Sequence, residues 1–186
     1  MAKSLTTQIN PDSTWTWTLT SILGDSLKMA EQRFGHRDYE YTILGVEFVD
    51  HTNPYIWYFD TGKHIIIRLT LSCINDFDQG VFQLTHEVIH CLSPDRNVKA
   101  TYLEEGLATL FSTEYSKGHG GLINTTPEYV QAYSLVNQLL KLDNDIIKKL
   151  RRSQLKLSLI TESDILKINS SIPLSLAHDL TQMFPY

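Results

Sequence analysis

The sequence predicts an α+β fold in which one helix and three strands come first and helices make up the rest. Apolar residues recur at helical spacing near the N-terminus, β-branched and aromatic residues then alternate with polar ones, and helical periodicity returns afterwards. The chain has 186 residues, 42% hydrophobic and 20% charged, which suits a compact unit. We expect a core over residues 1–125 and a helical C-terminal subdomain over residues 126–186.

The first half of the chain contains one predicted helix and three predicted strands. The helix spans Trp15 to Phe34, and Gly35 suits its C-terminal cap. The strands are predicted at Tyr41–Val49, Tyr55–Phe59 and His64–Leu71. Residues 60–63 have the composition of a hairpin turn. Together these strands predict a small, mainly antiparallel sheet.

The remaining elements are predicted to be helices. They are expected at Asp78–Leu92, Val98–Tyr115, Glu128–Leu142, Asp145–Ser153, Glu162–Ile168 and Leu174–Phe184. Asp76 or Asp78 can cap the first of them, and Ser93-Pro94 ends it. The basic run at residues 148–152 is interpreted as a solvated helix face.

The most informative motif is the run His86-Glu87-Val88-Ile89-His90. Residues four apart lie on one face of a helix, so both imidazoles can bind one metal ion. Zinc accepts neutral imidazole, and a catalytic zinc keeps one position open for water. Glu87, one step round the helix, can take a proton from that water. The alternative is a plain amphipathic helix with two solvated histidines.

A third ligand must come from elsewhere, and Glu105 is the best candidate. It lies on the next predicted helix, in the run Leu-Glu-Glu-Gly-Leu-Ala at residues 103–108. Glu104 points about 100° away on that helix, so both carboxylates cannot face one metal equally. Gly106 is expected to allow close packing against the histidine-bearing helix. Without the histidine pair, both glutamates would be read as solvated surface charges.

These residues resemble the gluzincin metallopeptidases, whose third ligand is a glutamate on the helix after His-Glu-x-x-His. Residues 103–108 look like the Asn-Glu-Gly-Phe-Ala signature of the aminopeptidase-N-like family and the Glu-Gly-Leu-Ala of peptidase MA-like proteins. The resemblance maps the zinc-binding glutamate onto Glu105. The interval from His90 to Glu105 is shorter than in the aminopeptidase-N-like enzymes, and their Gly-x-Met-Glu-Asn element is absent from the sequence. Aminopeptidase specificity is therefore not implied.

A second similarity to the same families lies downstream, in the run that begins at Tyr129. It is similar to their Tyr-x-x-Gly-x-x-Leu helix, with Ala132 in the place of glycine. The resemblance implies that Tyr129 donates a hydrogen bond to the oxyanion, with Tyr133 as the alternative one turn on. Without it, both would be read as core aromatic residues. His119, in a Gly-rich loop, is a further candidate for a substrate contact or an exposed loop histidine.

The order of elements is also that of the minimal zincin core. By analogy with zincins, the strand predicted at residues 64–71 would flank the cleft, where an edge strand pairs with an extended substrate.

Composition limits the other possibilities. The net charge of −5 and the pI of about 5.8 do not favour nucleic acid. Two cysteines are too few for a disulfide framework. The sequence shows no secretory h-region and no run of apolar residues that would span a membrane, so a cytoplasmic protein is expected.

The first hypothesis is a Zn²⁺-dependent peptidase, in particular an endopeptidase, that acts on a peptide or protein substrate. The second is a zinc-binding regulatory or toxin-like module with little general activity. A helical α+β domain without metal is the third.

Overall fold

The computed structural model describes residues 18–59, 63–117 and 126–185, and within these ranges the chain is α+β, as predicted. Its helices are α1 (Leu19–Phe34), α2 (Phe77–His90), α3 (Tyr102–Lys117), α4 (Pro127–Leu142), α5 (Ile146–Ser153), α6 (Glu162–Ile168) and α7 (Leu174–Thr181). The strands are β1 (Thr42–Val49), β2 (Tyr55–Tyr58) and β3 (His64–Thr70). Short 3₁₀ turns occupy Leu71–Asn75 and Leu157–Leu159.

Local signals explain several helix ends. The Thr18 side chain accepts a hydrogen bond from the Ser21 amide in a capping box at the start of α1. Gly35, at φ 97°, ends that helix, and the Asp76 carboxylate caps α2. Residues 15–17 of the predicted first helix lie outside the described residues.

Two helix predictions were too long for the same tertiary reason. The predicted Val98–Tyr115 helix begins only at Tyr102, and the predicted Leu174–Phe184 helix ends at Thr181. Between them, Thr101 forms an antiparallel bridge with Met183. The two segments therefore pair with each other in extended conformation, a contact that helical periodicity does not reveal.

The sheet is mixed, and its order is β1-β3-β2. β2 and β3 are antiparallel neighbours, as a hairpin requires, although turn residues 60–62 lie outside the described residues. The prediction of a mainly antiparallel sheet is wrong for β1, which pairs parallel to β3 along its length. Alternation identifies which residues of a strand share a face, but it does not identify the neighbouring strand. Ile65, Ile67 and Leu69 of β3 are fully buried, as expected for the central strand of the sheet.

The helices share one core with the sheet. α2 packs against β3 and α1, and α3 lies between α2 and α4. A single cluster of buried hydrophobic side chains includes residues of β3 and all seven helices. Within the described residues, none of the helices is both long and apolar enough to span a membrane.

Arg151 corrects the interpretation of the basic run as a wholly solvated face. Its side chain is buried, and its guanidinium donates hydrogen bonds to five carbonyl oxygens, those of Phe34 (3.0 Å), Gly35 (2.7 Å), His36 (2.9 Å), Leu92 (3.1 Å) and Leu155 (3.2 Å). Burial lowers the pKa of Arg151 to about 10. Arg151 thus joins α5 to the C-terminal ends of α1 and α2.

Candidate metal centre

The two motif histidines lie together on the buried face of α2. Helical spacing places the ring centroids of His86 and His90 5.2 Å apart. Since α2 is packed against the sheet and α3, this face is enclosed, and only 8% of His86 is exposed. The prediction that these residues are helical neighbours is therefore confirmed.

Glu105 reaches the histidine pair from the first turn of α3. Its Oε2 lies 3.1 Å from Nε2 of His86, and its Oε1 lies 3.5 Å from Nε2 of His90. One ligand atom from each of the three residues lies within 4.8 Å of the others. Glu105 is almost fully buried, so its carboxylate is fixed toward the two imidazoles.

The three side chains have the chemistry and spacing to hold a metal ion. Zinc takes imidazole nitrogen and carboxylate oxygen at about 2.0–2.1 Å, and in a tetrahedron such ligand atoms lie about 3.3 Å apart. The distances from each Glu105 oxygen to the nearer imidazole nitrogen, 3.1 and 3.5 Å, are of similar size. The set is also small enough to leave a fourth position for water.

Glu104 contacts the other nitrogen of His90. Its Oε1 lies 2.8 Å from Nδ1, and the residue is buried. When the His90 ring is neutral with its proton on Nδ1, that proton is donated to Glu104 and the Nε2 lone pair is available to a metal. Sequence reasoning weighed Glu104 as a ligand and missed this contact. Helix geometry could have predicted this contact. Adjacent helical residues point about 100° apart, so two neighbouring carboxylates can reach different nitrogens of one imidazole ring.

Buried charge alters the protonation of the site. Burial alone would lower the pKa of His90, but the Glu105 and Glu104 carboxylates outweigh it and raise the pKa to about 10. A metal ion must therefore displace a strongly held proton. Burial raises the pKa of Glu87, which is 4% exposed. A carboxylate with a raised pKa is a better proton acceptor.

A cavity of about 640 Å³ opens onto these residues. Its walls include His86, Glu87, His90, Glu104, Glu105, Tyr129, the β2 residues Tyr55, Ile56 and Tyr58, and the loop residues Val98, Lys99 and Ala100. The expectation, by analogy with zincins, that the third predicted strand would flank the cleft as an edge strand is wrong. β3 is the central strand, and β2, at one edge of the described sheet, borders the cavity.

The two tyrosines of α4 have different surroundings. The Tyr129 ring lines the cavity, with its centroid 5.8 Å from that of His86. Burial, followed by the charges of Glu105 and Glu87, raises its pKa, so its phenol remains a donor at neutral pH. Tyr133 is half-buried against the hydrophobic core. His119 lies outside the described residues.

Gly106 packs against α4, not against α2 as expected. A Cβ built at Gly106 would lie 2.3 Å from the backbone oxygen of Ala132 and 2.7 Å from Cγ2 of Val136. Gly106 follows Glu105 on α3, and Ala132 lies about one turn beyond Tyr129 on α4. The close approach therefore packs the turn that carries the candidate ligand beside the turn that carries the candidate oxyanion donor.

A further residue at the site was missed altogether. Phe184 packs its ring on Tyr129, with centroids 4.8 Å apart. It lies far from the motifs in sequence, and as an isolated apolar residue it carries no sequence signal.

Comparisons of the chain with protein-family models, with curated proteins and with solved structures found no match. The interpretation of the site therefore depends on its own residues and geometry.

Proposed function

We propose that this protein is a zinc-dependent peptidase of the gluzincin type, built on a minimal zincin core. The observation that carries the proposal is the convergence of Glu105 on both Nε2 atoms of a helical histidine pair. Glu87 lies on the same helix and lines the same cavity. The donor set of two nitrogens and one oxygen favours zinc over calcium or magnesium, which prefer oxygen ligands.

His86, His90 and Glu105 would hold the metal ion, and Glu104 would orient His90. A zinc ion bound there supplies a Lewis acid that polarises the scissile carbonyl and acidifies a water molecule.

Glu87 acts as the general base and then as the general acid. Its buried carboxylate accepts a proton from the attacking water and then donates it to the nitrogen of the leaving amine. The environment supports both roles, because burial raises the carboxyl pKa toward the pH at which the proton must be taken and returned.

Tyr129 stabilises the negative charge that develops on the carbonyl oxygen. A protonated phenol beside a metal site can donate a hydrogen bond to an oxyanion. The raised pKa of Tyr129 and its position on the cavity wall support this role.

The β2 edge provides a surface for the substrate main chain. An edge strand offers unpaired N–H and C=O groups to an extended peptide. Its position on the cavity wall supports a peptide substrate. The absence of the Gly-x-Met-Glu-Asn element from the sequence favours an endopeptidase over an aminopeptidase.

The test combines metal analysis with a peptide-library cleavage assay. The purified protein should bind one zinc ion per chain and cleave the library, and a chelator should abolish cleavage. Failure to bind zinc in a stoichiometric amount would reject the proposal. Zinc binding without cleavage would favour the regulatory or toxin-like module instead.

The variant Glu87→Gln separates metal binding from catalysis. It should keep zinc and lower kcat by about 10²–10⁴-fold, because a neutral amide cannot accept the proton. Glu114→Gln, an exposed position on α3 paired with Arg33, is the matched control and should retain full activity. Undiminished cleavage by Glu87→Gln would rule out this mechanism.

A further inference from the structure

The last described residues of the chain lie beside the first turn of α3. The Phe184 amide donates a hydrogen bond to the Ala100 oxygen at 2.9 Å, and the Tyr102 amide donates one to the Gln182 oxygen at 3.0 Å. With the Thr101–Met183 bridge, these bonds form a short antiparallel pairing. We call residues 182–184 the C-terminal tail. It pairs with the segment that immediately precedes Glu104 and Glu105.

The backbone pairing directs the Phe184 side chain into the protein. Only 3% of Phe184 is exposed. Its ring lies against Tyr129, with centroids 4.8 Å apart and planes at 46°, and against Tyr102 edge-on at 5.3 Å. Both distances fall within the range of about 4.5–7 Å at which aromatic pairs attract each other.

Tyr129 also contacts a second ring. The His86 imidazole meets it edge-on at 5.8 Å. A tyrosine side chain has two rotatable bonds, so two ring contacts are sufficient to restrict where its hydroxyl points. One contact comes from a candidate metal ligand and the other from the C-terminal tail.

We propose that Phe184 is a positioning residue that holds the Tyr129 phenol toward the cavity, so that the C-terminal tail completes the active site. This inference rests on the proposed function only for its catalytic consequence. The tail makes no chemical contribution of its own. It preorganises the donor, since a misplaced oxyanion donor loses most of its effect.

The first test is a double-mutant cycle on cleavage of a peptide selected from the library. Phe184→Ala should lower kcat about tenfold while KM stays within about twofold, because the donor acts in the transition state. Tyr129→Phe should lower kcat by about 10²–10³-fold. In the Tyr129→Phe background, Phe184→Ala should change kcat less than about twofold. Equal losses in both backgrounds, or no loss in either, would overturn the inference.

The second test needs no activity and uses variants that keep the core filled. In protein with isotope-labelled tyrosine rings, the Tyr129 resonances are assigned with Tyr129→Phe. Phe184→Leu should weaken the nuclear Overhauser contacts between the Tyr129 and His86 rings, because the Tyr129 ring is no longer held in one orientation. Ile165→Val, a fully buried position on α6, is the control for general core loosening and should leave these contacts unchanged. Unchanged contacts between the Tyr129 and His86 rings in Phe184→Leu would overturn the inference.

The results distinguish the two proposals. If Tyr129→Phe lowers kcat and the Phe184 variants do not, the peptidase stands and the role of Phe184 falls. If no peptide is cleaved, the proposed function falls, while the contacts between the Tyr129 and His86 rings still decide whether Phe184 positions Tyr129.

Discussion

At the scale of the residue, His90 shows how one side chain is held from two directions. Oε1 of Glu104 lies 2.8 Å from Nδ1, and Oε1 of Glu105 lies 3.5 Å from Nε2. Adjacent residues of α3 therefore contact different nitrogens of the ring. A hydrogen bond to the second nitrogen fixes the tautomer and the orientation of a metal-binding histidine. Glu104 is therefore expected to act through His90 and not as a ligand.

Replacing Glu104 should weaken metal binding without removing a ligand. Glu104→Ala is expected to lower zinc affinity by roughly 10–100-fold, because His90 loses the partner that orients it. Glu104→Gln keeps an acceptor oxygen and should lose less. Competition with a chromophoric chelator measures both.

The control for Glu104 is another histidine–glutamate pair in the same chain. His178 and Glu162 are 3.2 Å apart and exposed on α7 and α6, so Glu162→Ala should leave zinc affinity unchanged. If Glu104→Ala bound zinc as tightly as the unmodified protein, the orienting role would be wrong.

At the scale of the element, α3 and α4 approach each other at Gly106. A glycine in a helix interior needs a packing reason, and from the sequence we expected that reason to be the histidine-bearing helix. The structure places α4 there instead, since any side chain at this position would meet the Ala132 backbone. The partner helix could not be inferred, because a glycine has no side chain whose pattern identifies what it contacts.

Two helical glycines should therefore respond oppositely to substitution by alanine. Gly106→Ala must push the helices apart and should lower the free energy of unfolding by about 1–3 kcal/mol. Gly24 lies on the exposed face of α1, and a Cβ added there would have no atom within 4 Å. Gly24→Ala should raise the free energy of unfolding by about 0.5–1 kcal/mol. Urea denaturation compares them, and equal effects would contradict the packing argument.

In the sheet, the positions of the strands depend on local sequence, whereas their pairing depends on tertiary contacts. Each strand was predicted near its observed position, because alternation and β-branched residues are local properties. The parallel β1–β3 pairing was not predicted. A strand buries the same alternate residues whether its neighbour runs parallel or antiparallel to it. The alternation is therefore equally compatible with both arrangements.

At the scale of the whole molecule, Arg151 connects three helices. It donates hydrogen bonds to carbonyl oxygens just past the ends of α1 and α2, where helical backbone oxygens lack intrahelical partners. α2 carries the histidine pair, so this residue supports the site from a distance. Its place in a basic run concealed that role, because a run of cations usually marks a solvated face.

Removing the Arg151 guanidinium should destabilise the whole fold. Arg151→Met keeps an apolar stem and should lower the free energy of unfolding by about 3 kcal/mol, because carbonyl oxygens at buried and partly buried positions lose a charged hydrogen-bond donor. The exposed neighbour Arg152 is the control, and Arg152→Met should stay within about 0.5 kcal/mol. Chemical denaturation measures both, and similar midpoints for the two variants would refute the structural role of Arg151.

The sequence by itself determined the helices, the strands and the histidine pair of this protein, because each depends on residues close together in the chain. It also indicated Glu105, through its place beside Gly106 on the next helix. The tertiary structure alone decided the strand order, the contact of Glu104 with Nδ1 of His90, the burial of Arg151 and the packing of Phe184 on Tyr129. Each of these is a pairing between distant segments, and a side chain's own chemistry does not specify which distant partner the folded chain will bring to it.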